Sequence, residues 1–174
     1  MVNIRHASGN EFEIVRSFYH SLIDAMEHAQ YKPGWEKEVY PSDAYLRASI
    51  ESQELFIGTV DDVIACAMIV NHEYNESYTK AQWPTQAEPD EITVIHALGV
   101  HPDFSGQGIA KAMVSFAIAE AKQQGQKAIW LDVLEGNLPA ERLYTGAGFQ
   151  YVDTLSMYYE DTGWTNFKLF EYRI

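Results

Sequence analysis

The sequence predicts an α/β fold with a mixed central β-sheet of about seven strands flanked by about four helices. Apolar residues alternate in short runs that read as strands and recur at helical spacing in longer runs that read as helices. These runs follow one another as βααββ, βαβα, ββ, so the central strands come from the middle of the chain. With 174 residues, 47% hydrophobic and 13% aromatic, the chain has the material for one core, and residues 1–174 read as a single domain.

Val2, Ile4 and His6 alternate with Asn3 and Arg5, giving a half-buried first strand. Ser8 to Glu11 has capping-box spacing, and Phe12, Val15, Tyr19, Leu22, Ile23 and Met26 follow on one helical face. Pro33 and Gly34 break regularity in a loop with Tyr31 and Trp35, after which Ser42 caps a second helix carrying Leu46 and Ile50. Leu55–Val60 and Val63–Val70 read as a hairpin turning at Asp61-Asp62. The long polar stretch from Asn71 to Asp90, with Tyr74, Tyr78 and Trp83, is expected to be an active-site flap.

Glu91 to His101 is a strand, Gln107 to Gln124 a helix stopped by Gly125, and Ala128 to Leu134 a buried strand. Asn137 caps a short helix that tolerates Pro139 in its first turn, and strands from Phe149 to Tyr159 and from Trp164 to Tyr172 follow.

Twelve Lys and Arg against 25 Asp and Glu leave a net charge of −13, a field that repels nucleic acid and anionic membrane and attracts cations. Cys66 is the single cysteine, so no intrachain disulfide forms, and it lies in an apolar run that reads as core. The histidines lack metal-ligand spacing, and no metal is expected. The polar N-terminus lacks the apolar stretch of a signal peptide, and a cytoplasmic setting is expected.

Ser105-Gly106-Gln107-Gly108-Ile109-Ala110 lies between a strand and a long helix, where backbone N–H groups converge at the positive end of a helix dipole. Two glycines and a small Ala110 let a phosphate approach closely, although the same glycines could simply make a tight turn. Lys111 breaks the dinucleotide fingerprint, and no Gly-Lys-Ser/Thr completes a Walker loop.

Leu98 to Ala110, followed by Leu131-Asp132-Val133, Asn137, Ala140 and Leu143-Tyr144-Thr145-Gly146-Ala147-Gly148-Phe149, resembles the GNAT superfamily of N-acetyltransferases. One departure is Ser105, where the family loop usually opens with Gln or Arg. The resemblance implies a GNAT-like fold and acetyl-CoA as cosubstrate. The backbone of Leu98, Gly99 and Val100 would then pair with the pantetheine arm, Ser105, Gly106, Gln107, Gly108, Ile109 and Ala110 would hold the pyrophosphate, and Asn137 and Ala140 would line the other side. Tyr144 matches the family's general acid, and a phenol with a pKa of about 10 is protonated at neutral pH and fit for that task. For the general base the resemblance offers Glu91, one residue out of register, and His96, with a water chain as the other option; the residues do not decide among them.

Tyr31, Trp35, Tyr74, Tyr78 and Trp83 are the aromatic candidates for the acceptor side, suited to a cationic amine. The expected reaction is direct attack by a primary amine of a small molecule or peptide, because no nucleophile with an adjacent base is apparent. A non-catalytic acyl-CoA sensor or scaffold and a protein N-terminal acetyltransferase are the alternatives. The sequence leaves monomer and homodimer open.

Overall fold

The computed structural model describes residues 2–174. Seven strands form one sheet in the order β1-β2-β3-β4-β5-β7-β6. These are β1 (Asn3–His6), β2 (Leu55–Val60), β3 (Val63–Asn71), β4 (Ile92–Val100), β5 (Ala128–Leu134), β6 (Gln150–Tyr159) and β7 (Gly163–Arg173). The four α-helices are α1 (Phe12–Ala25), α2 (Asp43–Glu51), α3 (Ile109–Gln123) and α4 (Leu138–Gly146). All neighbouring strands are antiparallel except β4 and β5, which α3 joins as a parallel pair.

Local chemistry accounts for the element boundaries. Ser8 N donates to Glu11 Oε2 at 2.7 Å, closing a 3₁₀ turn, Gly9–Glu11, that leads into α1. Ser42 Oγ accepts from Tyr45 N at 3.1 Å and starts α2. Asp61 and Asp62 both take left-handed backbone, with φ of +49° and +63°, as a two-residue type I′ hairpin requires.

Helices cover both faces of the sheet. On one, Ile109, Met113, Val114 and Ala117 of α3 and Tyr144 of α4 pack against Ile95, Ile129 and Leu131. On the other, Val15, Tyr19 and Leu22 of α1 and Leu46 and Ile50 of α2 cover Ile57, Ala67 and Ile69. Cys66 is fully buried beneath α3, and burial pushes its thiol up to about 12.

The segment from Asn71 to Asp90 corrects one expectation: it is packed against the sheet, on the same face as α1 and α2, and does not form an aromatic flap. Trp83 stacks on Trp130 with ring centroids 3.9 Å apart, and Tyr74 lies parallel to Tyr78 at 5.7 Å. Tyr78 and Trp83 are buried with Ile92, Val94 and Leu169 in a third cluster. Stacking removes more apolar ring surface from water than an open flap would, and Trp83 Nε1 finds an acceptor in the Tyr78 carbonyl at 2.8 Å.

Candidate active site

β4 and β5 pair only from Ile92↔Ala128 to Val94↔Trp130 and then part. Their separation is coupled to a bulge in β4. The register against β3 runs Ile69↔His96 and then Ala67↔Gly99, so β4 carries one extra residue. Ala97 in the bulge adopts a left-handed φ of +50°, and its carbonyl accepts a 2.9 Å bond from the buried Tyr19 hydroxyl. Gly99 completes the arrangement, because a Cβ there would sit 2.4 Å from Leu22 Cδ2 and 3.2 Å from the Trp35 ring. This glycine serves the packing of α1 against the bulge.

The parting strands open a cleft through the sheet, so side chains from both faces meet in it. Tyr144 and Ala140 come from α4 on one face. Trp35, Tyr40, His96, Asp132 and Tyr159 come from the other, and Asn137, Leu98, Asp161 and Thr162 complete the walls. The void between these walls measures about 110 Å³.

Where the chain leaves β4 and enters α3, Gly106 and Gly108 take φ of +74° and +73°, and a Cβ on either would meet no heavy atom within 4 Å. The N–H groups of Gly106, Gln107 and Gly108 donate to no acceptor among the described residues. The first-turn amides of α3 lack intrahelical partners by geometry. Free amides, open space above the glycines and the positive end of a 15-residue helix suit a phosphate-bearing ligand.

Three ionisable side chains define the chemistry of the cleft. Tyr144 is 7% exposed, its hydroxyl has no partner among the described residues, and burial, reinforced by the Asp132 charge, raises it above the ordinary phenol value. It stays protonated and is free to donate. Asp132 accepts from the Tyr159 hydroxyl at 2.6 Å and the Tyr78 hydroxyl at 2.7 Å, both on Oδ2, which leaves Oδ1 without a donor among the described residues. Burial raises its carboxyl, and the two hydroxyls oppose that shift by stabilising the anion. His96 Nε2 lies 2.9 Å from both Asn71 Oδ1 and Glu73 O, which requires a proton on Nε2 and leaves Nδ1 as the lone-pair nitrogen. Burial takes its imidazolium down to about 4, so His96 is neutral at physiological pH.

The sequence candidates divide between the cleft and other places. Trp35, His96, Leu98, Asn137, Ala140 and Tyr144 line the cleft, while residues 105–108 form the turn into α3 and Ile109 and Ala110 begin the helix. Glu91 lies elsewhere: it closes the 3₁₀ turn Pro89–Glu91 just before β4, at the end remote from the bulge, where it is 2.7 Å from Lys127 Nζ and accepts from Glu88 N, and these partners hold its carboxyl below the usual range. Tyr31 is half-buried outside the cleft walls. Tyr74, Tyr78 and Trp83 belong to the stacked cluster, and Tyr78 reaches the site only through its bond to Asp132.

Tyr40, Asp132, Tyr159 and Asp161 were not among the sequence candidates. Asp132 carried a readable signal, an acid inside the otherwise apolar strand Ala-Ile-Trp-Leu-Asp-Val-Leu, since buried acids are rare without a partner or a task. The other three reach the cleft only through long-range packing. Among the described residues no group of three or more His, Cys, Asp or Glu side chains is arranged to hold a metal. No helix among them is long and apolar enough to cross a membrane.

The chain is similar in sequence and in fold to known acetyltransferases. The [Ribosomal protein bS18]-alanine N-acetyltransferase of Escherichia coli K12 is 33% identical over 78 residues, 45% of this chain and 52% of that protein. The mycothiol acetyltransferase of Frankia casuarinae is 33% identical over 78 residues, 44% of this chain and 23% of that protein. The chain therefore spans about half or less of the length of these relatives. Among solved structures, a GNAT-family acetyltransferase from Streptococcus agalactiae superposes with a TM-score of 0.78 at 18% identity, over 99% of this chain and 95% of that one. YncA of Salmonella typhimurium, solved with its cofactor acetyl-CoA, gives 0.71 at 15% identity, over 99% and 94%. The model of the acetyltransferase (GNAT) family matches residues 16–149, well over half of the sequence, and the chain belongs to that family.

Proposed function

We propose that this protein is an acetyl-CoA-dependent N-acetyltransferase that acts by direct attack of a primary amine from a small molecule or peptide. The observation that carries this reading is the meeting of Tyr144 and Asp132, from opposite faces of the sheet, in the cleft where β4 and β5 part. The amides of residues 106–110 are suited to hold the pyrophosphate, and the unpaired edge of β4 from Ile95 to Val100 to accept the pantetheine amides. When bound, acetyl-CoA supplies a thioester acyl group whose C–S bond breaks as the amine nitrogen forms the new C–N bond.

The chain's own groups move the protons. Asp132 Oδ1 takes one from the incoming ammonium before attack, the Tyr144 hydroxyl gives one to the departing sulfur, and the proton still carried by the newly acylated nitrogen returns to the Tyr144 phenolate, leaving the neutral amide. Asp132 is preferred to His96 as base because its basicity is raised by burial while that of His96 is lowered. The His96 contacts to Asn71 and Glu73 suit a positioning role. Trp35, Tyr40 and Tyr159 supply aromatic walls for a cationic acceptor.

The test is release of free CoA from acetyl-CoA on addition of a panel of amines and short peptides, with binding followed by calorimetry. Release with an amine and none with the matching alcohol supports the reading. Tight binding without release for any acceptor would identify a sensor instead. The likeness to a ribosomal-protein alanine N-acetyltransferase favours a peptide amino terminus as the second acceptor class to examine.

A further inference from the structure

The acceptor half of the cleft carries two carboxylates and no cation. Asp132 stands on β5 and Asp161 in the turn between β6 and β7, and among the described residues no Lys or Arg contributes to the walls. Neither aspartate, nor the neighbouring Glu36, forms an ion pair among the described residues. The nearby cations are committed elsewhere: Lys37 pairs with Asp24, and Lys32 Nζ donates to the Glu27 carbonyl at 3.1 Å. Asp161 is half-buried, and burial together with the charges of Glu36 and Asp132 disfavours its anion.

Negative charge held away from water without a counter-ion is costly, and a bound cation relieves it. An acidic cluster alone would not define a ligand. Here it shares the cleft with Tyr144, a side chain nine-tenths buried whose hydroxyl has no partner among the described residues, and with Asp132 Oδ1, which has no donor among them although Oδ2 has two. The two aspartates stand on separate elements, β5 and the β6–β7 turn, and each offers a place for positive charge. The aromatic rings of Trp35, Tyr40 and Tyr159 suit an alkyl chain between two charged ends. The void of about 110 Å³ must also admit the acetyl group beside Tyr144, which favours a slim acceptor.

We propose that the acceptor is a short linear aliphatic diamine, with its reacting nitrogen delivered to Asp132 and its distal ammonium held by Asp161. This rests on the acyl-transfer reading above and adds the substrate class. The bond changes are those already described, and the distal ammonium keeps its protons throughout. Asp161 is a specificity residue: it selects among amines and takes no part in proton transfer.

The experiment compares kcat/KM for 1,3-diaminopropane, 1,4-diaminobutane and 1,5-diaminopentane with propylamine, butylamine and pentylamine, by release of CoA. At least one diamine should exceed its monoamine by about tenfold or more, the ordinary worth of one charge-assisted contact. Asp161→Asn retains a side-chain oxygen for the backbone amides of Asp161 and Thr162 and should bring that ratio toward one. The wild-type ratio alone is decisive should the variant fail to fold. Equal rates for diamine and monoamine, an unchanged ratio in the folded variant, or activity confined to peptide amino termini would each overturn the inference while leaving acyl transfer standing. Binding of acetyl-CoA with no release to any amine or peptide would overturn both.

Discussion

The hydroxyl of Tyr19 on α1 donates to the carbonyl of Ala97 in the β4 bulge at 2.9 Å, linking residues 78 positions apart in a fully buried contact. It supplies the buried bulge carbonyl with a donor at the place where β4 turns away from β5. Tyr19→Phe leaves that carbonyl unsatisfied and should cost about 1–3 kcal/mol of stability, read by denaturant titration. Acetyl-CoA affinity should fall with it, and an unchanged affinity in the folded variant would separate the bulge from ligand binding.

Tyr144→Phe retains the ring in its packing and removes the hydroxyl. Turnover should drop by roughly 10²- to 10⁴-fold while acetyl-CoA affinity by calorimetry changes little. Equal turnover would show that the sulfur leaves without this proton.

Asp132→Asn should lower kcat/KM by a comparable roughly 10²- to 10⁴-fold. In the unaltered protein the carboxyl is raised by burial, so the base is protonated and inactive at low pH and becomes competent as pH rises through a value above the usual aspartate range. The Tyr78 and Tyr159 hydroxyls hold the anion, so Tyr159→Phe should move that limb to higher pH. A shift to lower pH, or no shift, would remove Asp132 from the base role.

Gly108→Ala places a methyl group in space that no protein atom occupies, at a backbone angle of φ +73°. The left-handed strain should cost about 1–2 kcal/mol of stability. Gly125, at φ +71° and with equally open surroundings, provides the control after the C-terminus of α3. Both alanine variants should lose similar stability, and only Gly108→Ala should lose acetyl-CoA affinity. Equal affinity in the two would end the assignment of the amide cradle.

Trp83→Ala should behave as a core truncation, destabilising by about 3–5 kcal/mol through loss of the Trp130 stack. The diamine-to-monoamine ratio should be unaffected in the fraction that folds. A change in that ratio would return the 71–90 segment to the acceptor side.

Much of this architecture follows from short-range patterns. Helical spacing and the Ser8–Glu11 capping box determined α1, alternation determined β1, apolar runs on either side of Asp61-Asp62 determined β2 and β3, and paired glycines after a strand marked the entry to α3, because these signals depend on backbone geometry over a few residues. The acid within an apolar strand at Asp132 was legible as well, but the sequence assigned it no task. Which aromatics face the cleft was decided by tertiary packing. Trp83 and Trp35 both sit in irregular polar stretches, yet one stacks on Trp130 and the other reaches the cleft wall beside Leu22 and Gly99. The displacement of Glu91 had the same origin, since its place at the paired end of β4 commits it to Lys127. Asp161 and Asp132 come together because β6, β7 and β5 are adjacent in the sheet although distant along the chain. Long-range strand order decides which charges share a solvent-poor cleft, and no local spacing encodes it.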